Sequence, residues 1–373
     1  MTQHSLTNPY FKNLDAFRFL SFLGVFLSHT LVLPSPTNGI SDFLRSFFTM
    51  YYLGVPFFFT LSSFLITYRL LAEKQHKNAI DLLSFYKNRI LRIWPAYFIL
   101  LIACFLMLPL LAGVLKIQSP SLPPVLPFLF FYANFYMIEH GVAFTFALTI
   151  LWSISIEEQF YLVWGSVLKI LSKNLALVII LLFVFSIIFS YCYLYVLHKD
   201  SKNLAIHSIF VLQNFCTGAL IALICIKKES VFVFLKKMPP IIILSVYILL
   251  PVAYFFIQDM VLLNIIKSIC YSVIIYDQCF NHHRFFNAGR SAMINYLGKI
   301  SYGLYLYHAI VFVILQKGFN FFGSPQPSSF VNLFQVVVCL AVTFIVAHAS
   351  YKFVESKFLA LKNKTQAGVR PAR

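Results

Sequence analysis

The sequence predicts an all-α polytopic integral membrane protein of about ten transmembrane helices, with both ends in the cytoplasm and a short re-entrant or interfacial segment near 124–138. Three observations lead there. Of 373 residues, 60% are hydrophobic and 11% charged, with a mean hydropathy of +0.82; soluble domains hold about 45–50% apolar and about 25% charged residues. The apolar residues fall in runs long enough to cross a hydrocarbon layer of about 30 Å at 1.5 Å per residue. The basic residues lie in short stretches between those runs, where they orient membrane proteins and meet anionic lipid. A net charge of +17 signals nucleic-acid binding only on a soluble basic module, and none is present in the sequence.

The runs fall near 15–33, 49–70, 93–115, 147–168, 175–197, 205–226, 240–257, 260–280, 295–316 and 330–351. The first could imitate a signal peptide, but Arg18 opens it and no clean small-residue cleavage site follows, so retention as a span is expected. The stretch 124–138 is too short to cross and is bracketed by Pro120, Pro123, Pro124, Pro127 and His140. Such backbone must be buried against protein. With the N-terminus inside, most Lys and Arg fall on the inner connections. The outer ones hold only Arg45, Lys116, Lys199, Lys202 and Lys317, and Arg18 and Lys267 lie within spans. The positive-inside rule then favours N-in and C-in. Residues 1–13 read as a cytoplasmic segment, 14–359 as one membrane domain and 360–373 as a basic, disordered tail. The seven cysteines lie unevenly in apolar segments without a C-x-x-C pair, so neither disulfides nor a metal is expected.

Chemistry must then occur among the helices, where each ionisable group costs about 2.5–3.5 kcal/mol on insertion scales and marks a candidate site. Arg18 and His29, eleven residues apart, share a face of the first helix, with His29 about 16 Å deeper. The plain alternatives are a snorkelling anchor for Arg18 and a hydrogen-bonded packing residue for His29. Arg89 and Arg92, at i and i+3, present two guanidinium forks on one face, suited to phosphates; positive-inside anchoring also accounts for them. In Trp152-Ser153-Ile154-Ser155-Ile156-Glu157-Glu158, adjacent carboxylates lie within about two turns of the depth of His29. A His–Glu contact is therefore geometrically possible, as is a buried polar knot. Ser301, Tyr305 and His308 form an i, i+4, i+7 stripe that either lines a pocket or glues helices. Asp277, His348 and Glu355 carry weaker signals. Glu355, between Lys352 and Lys357, reads as part of a solvated charge cluster.

In order along the chain, Leu14-Asp15-Ala16-Phe17-Arg18 with His29, Gly54-Val55-Pro56-Phe57-Phe58-Phe59-Thr60-Leu61-Ser62-Ser63-Phe64-Leu65-Ile66, Arg89-x-x-Arg92 before Pro95-Ala96-Tyr97, the Trp152–Tyr161 stretch, the Ser301–His308 block and Tyr351-Lys352-Phe353-Val354-Glu355 resemble the signatures of membrane-bound acyltransferase family 3. Ala16 and Ser63 stand where the family pattern has glycines, and Ser356-Lys357 replaces a basic-Pro pair. With no esterase-like domain after the last span in this sequence, a likeness to the stand-alone members is expected. The resemblance implies a bacterial inner-membrane enzyme that transfers an acyl group, most often acetyl, from cytoplasmic acyl-CoA to a hydroxyl of a glycan or lipid-linked glycan. Acyl-CoA is then a co-substrate, with no permanently bound cofactor. It further implies His29 as the essential base, with Glu158 or Glu157 orienting it, and Arg89 and Arg92 on the donor phosphates. Arg18 and Ser155 would bind donor or polarise the thioester, and Ser153, Ser301, Tyr305 and His308 are pocket candidates. A transporter or flippase would show repeat symmetry between halves, and a glycan polymerase a large outer loop; the sequence has neither.

Overall fold

A computed structural model of the chain describes residues 10–30, 54–114, 116, 118–119, 121–227, 229–280, 287–321 and 329–367. Arg45, the first residues of the second apolar run and the chain end from 368 lie outside these. Among the described residues the elements are all helical, without strand. In chain order they are α1 (Lys12–Thr30), α2 (Gly54–Lys77), α3 (Leu82–Val114, through a π-helical turn at Ala103–Met107), α4 (Leu126–Leu129), α5 (Ala133–His140), α6 (Phe146–Thr149) and α7 (Leu151–Ile170). There follow α8 (Leu175–Val196), a short helix at Ser201–Ala205, α9 (Ser208–Lys227), a short helix at Glu229–Lys236, α10 (Pro240–Phe256), α11 (Met260–Phe280), a 3-10 turn at Ala288–Arg290, α12 (Ala292–Lys299), α13 (Ser301–Phe321), α14 (Ser329–Ser350), a π-helical turn at Tyr351–Glu355 and α15 (Ser356–Ala367).

Six of the described helices are long and apolar enough to cross a membrane, or up to eight if each of two bent helix pairs is one span. The helices carrying His29 and the paired glutamates are outside that set although they run 19 and 20 residues. Their charged and polar side chains, which make them chemically interesting, dilute their hydropathy. The segment after 360, expected to be disordered, is helical through Ala367. KNKTQA contains neither Gly nor Pro to end the helix.

The chain splits into two compact units. The first gathers Met1–Val25, Ser46–Ile80 and Val163–Lys299. Leu14 of α1, Phe57, Leu61 and Phe64 of α2, Ile221 and Ala222 of α9, and Tyr271 and Ile275 of α11 form its buried core. Because lipid is as apolar as these side chains, close packing and polar contacts decide which helices pair. At Gly218 on α9 a Cβ would lie 2.1 Å from the Thr60 carbonyl oxygen on α2, so only glycine permits this approach. Beside it Ser63 donates to the Phe215 carbonyl at 2.6 Å. The serine that replaces the family glycine thus adds a bond across the contact. Gly218→Ala should cost about 1–3 kcal/mol as overpacking and lower the melting temperature of the detergent-solubilised protein; an unchanged melt would mean that the two helices separate freely. On the other side of α11, Asp277, fully buried, accepts from Tyr247 and Gln278, both at 3.0 Å.

The second unit gathers Phe26–Arg45, Asp81–Leu162 and Ile300–Arg373. Within it the 124–138 stretch forms α4 and α5, broken where Phe131 takes φ 55°, a costly left-handed conformation for a bulky residue. Its free backbone is captured by neighbours. Tyr97 of α3 donates to the Phe128 carbonyl at 2.7 Å, and Gln159 of α7 donates to the Phe131 carbonyl at 2.8 Å and to Asn134 at 2.9 Å. These bonds supply what irregular backbone needs away from water.

Candidate active site

All but two of the sequence-derived candidates lie in the second unit. Arg18 and Asp277 are the exceptions: both lie in the first, where Arg18 is paired with Asp15 one turn earlier on α1.

His29, near the C-terminal end of α1, meets His308 of α13. The rings lie 3° from parallel with centroids 5.3 Å apart, and His29 Nδ1 is 3.0 Å from His308 Nε2. Phe146 on α6 packs perpendicular to His29, at 86° and 5.0 Å. The other nitrogen of His308, Nδ1, is 2.5 Å from the Tyr305 carbonyl oxygen one turn back. Tyr305 shares a 2.7 Å bond between its hydroxyl and Ser153 Oγ on α7. The stripe expected on α13 is thus buried along its length, Ser301 at 4%, Tyr305 at 8% and His308 at 0% exposure, and it brings His29, His308, Tyr305 and Ser153 together.

Neither glutamate hydrogen-bonds His29. Glu158 accepts from Trp94 Nε1 of α3 at 3.0 Å, and its second oxygen is buried without a hydrogen-bond partner among the described residues. Glu157 accepts from Tyr161 at 2.9 Å, one turn along α7. Equal depth made a His–Glu contact geometrically possible, but depth does not specify the facing side of a helix. Ser155 is fully buried and donates to the Leu151 carbonyl of its own helix at 3.0 Å.

Arg89 and Arg92 share a face of α3. The Arg89 guanidinium lies 5.1 Å from the Tyr161 ring centroid and 5.8 Å from that of Phe85, cation–π contacts that hold the group without using its N–H donors. Neither arginine donates a hydrogen bond to a described residue. Glu355 is no solvated charge: only 6% exposed, it accepts from Ser350 at 3.1 Å and its carboxylate is electrostatically coupled to Arg92. Ser350 in turn bonds Tyr307 of α13 at 2.9 Å. Flanking lysines concealed this residue in the sequence, and the π-helical turn that aims it inward left no residue signature. Trp94, which the sequence reading left without a role, could have been flagged as an indole N–H in an apolar run that needs an acceptor.

The two clusters are joined by shared helices. On α7, Ser153 of the histidine group and Glu157 beside the arginines are one turn apart, about 6 Å along the axis. On α13, Tyr305 and His308 face the first cluster, while Tyr302 donates to the Ile93 carbonyl of α3 at 2.9 Å, next to Arg92.

Residues 11–351 match the family described as Acyltransferase domain. The O-acetyltransferase OatA of Staphylococcus aureus, in strains NCTC 8325 / PS 47 and COL, is 26% identical over 366 residues, 93% of this chain and 57% of its own. A relative in strain N315, named only provisionally as an O-acetyltransferase, is 25% identical over 378 residues, covering 94% of this chain and 57% of its own. This chain thus spans a little over half the length of the curated relatives it matches. No solved structure matches it. With the family match covering nearly the whole chain, and with the ordered signatures placed on helices of an apolar all-α fold, this protein belongs to acyltransferase family 3.

Proposed function

We propose that the protein transfers an acyl group, most often acetyl, from cytoplasmic acyl-CoA to a hydroxyl of a cell-surface glycan such as O-antigen or exopolysaccharide, within the bacterial inner membrane. One observation carries this reading: a single compact unit gathers an imidazole pair and two arginines whose N–H forks bind no described acceptor. Arginine forks grip phosphate bidentately, so Arg89 and Arg92 hold the phosphates of the donor at the cytoplasmic side. The thioester arm runs along α7 toward His29. There the imidazole takes the proton of the acceptor hydroxyl as its oxygen attacks the thioester carbonyl. The C–S bond breaks, and the CoA thiolate leaves and receives that proton. Membership of a family with O-acetyltransferase relatives supports acyl transfer to oxygen; donor, acceptor and the role of His29 rest on this chemistry.

The same reading gives ten spans with both ends inside. Counting each bent pair once and adding α1 and α7 to the apolar helices yields that number, with 124–138 dipping in and returning. The experiment supplies purified protein in lipid with labelled acetyl-CoA and the host's surface glycan. Label in the glycan, and a gain of acetyl mass that vanishes without the protein, is expected; absence of both acetyl-CoA binding and hydrolysis would remove the donor assignment.

A further inference from the structure

We propose that His308 is a positioning residue that fixes the tautomer of His29, leaving His29 Nε2 as the proton acceptor. This rests on the acyl-transfer reading for its consequence, but not for its geometry. A carbonyl oxygen can only accept. With His308 Nδ1 at 2.5 Å from the Tyr305 carbonyl, that nitrogen carries the hydrogen. A neutral His308 then has a bare Nε2, which must be the acceptor in the 3.0 Å contact with His29 Nδ1. His29 therefore carries its hydrogen on Nδ1 and presents the lone pair of Nε2. After that lone pair takes a proton, Nδ1–H still donates to His308, so the contact persists in the charged state.

The arrangement does for His29 what a carboxylate does in other sites, without placing a second charge in a low-dielectric interior, where an unpaired carboxylate is expensive. It also explains why the neighbouring glutamates are engaged elsewhere, Glu158 with Trp94 and Glu157 with Tyr161. The helical carbonyl supplies the directionality. Tyr305 is held by its hydroxyl to Ser153, and the near-parallel rings are braced by Phe146 against the outer side of His29.

Two measurements test this. In protein labelled with ¹⁵N-histidine, assigned by comparison with His29→Ala, the resting His29 should give the signature of a ring protonated on Nδ1 alone; an Nε2-protonated ring overturns the proposal whether or not the protein transfers acyl groups. In transfer assays, His308→Ala and His308→Asn should lower kcat about 10²-fold, within the usual range for a positioned general base, with the KM for acyl-CoA unchanged. His308→Gln, whose amide oxygen can occupy the place of Nε2, should recover much of the rate. Equal loss in all three variants with an unchanged melting temperature, or no loss in any, overturns the positioning role. Absence of transfer in the wild-type protein would overturn the acyl-transfer reading instead, leaving the tautomer to be decided by the spectrum.

Discussion

Replacing His29 with alanine should lower acetyl transfer about 10²–10⁴-fold, the contribution usual for a positioned acid–base group, while acyl-CoA still binds. The split follows from the placement of the residue. His29 touches Phe146 and His308 at the end of α1, whereas the groups assigned to the donor phosphates lie on α3. Removing the ring takes away the proposed proton acceptor and leaves the arginine forks in place. Single-turnover transfer from labelled acetyl-CoA, beside equilibrium binding of CoA to the same folded preparation, checks both halves. Undiminished transfer would remove His29 from the mechanism, and a loss of binding equal to the loss of rate would assign it to donor recognition.

The second large effect is expected at the arginine pair. Charge-assisted hydrogen bonds contribute about 1.5–3 kcal/mol each, so Arg89→Ala or Arg92→Ala should weaken CoA binding by about 10–100-fold, and the double variant by more. Arg89→Lys separates charge from shape. A lysine keeps the positive charge but loses the fork and the planar face that rests on Tyr161 and Phe85, and it should bind little better than alanine. Calorimetric titration of CoA and of dephospho-CoA into purified protein measures this. Unaltered affinity in the double variant would return both residues to the anchoring role that positive-inside placement alone would explain.

The histidines illustrate how far the sequence could be read. Each is conspicuous by itself, an ionisable group in an apolar run. Their meeting across 279 residues of chain is invisible, because one sequence fixes the face of a helix but not the neighbour that the face meets. The same limit misdirected the glutamates: equal depth suggested contact with His29, while helix rotation gave them to Trp94 and Tyr161. Periodicity served well on α13, where i, i+4 and i+7 are geometrically one stripe. It failed for Glu355, since a π-helical turn departs from the 3.6-residue repeat on which such readings depend. Long apolar helices were legible from composition, and α1 and α7 less so, because function places polar atoms in the very segments that hydropathy is meant to find.

The wide turn at Tyr351–Glu355 has an evolutionary corollary. An ordinary α-helix through this stretch needs one residue fewer, and each residue rotates the chain by about 100°. A single-codon deletion between Ser350 and Glu355 would mend the backbone into a regular coil and swing the carboxylate away from Arg92. Keeping the buried carboxylate where it stands thereby requires the longer spelling, although the shorter one would make the better helix.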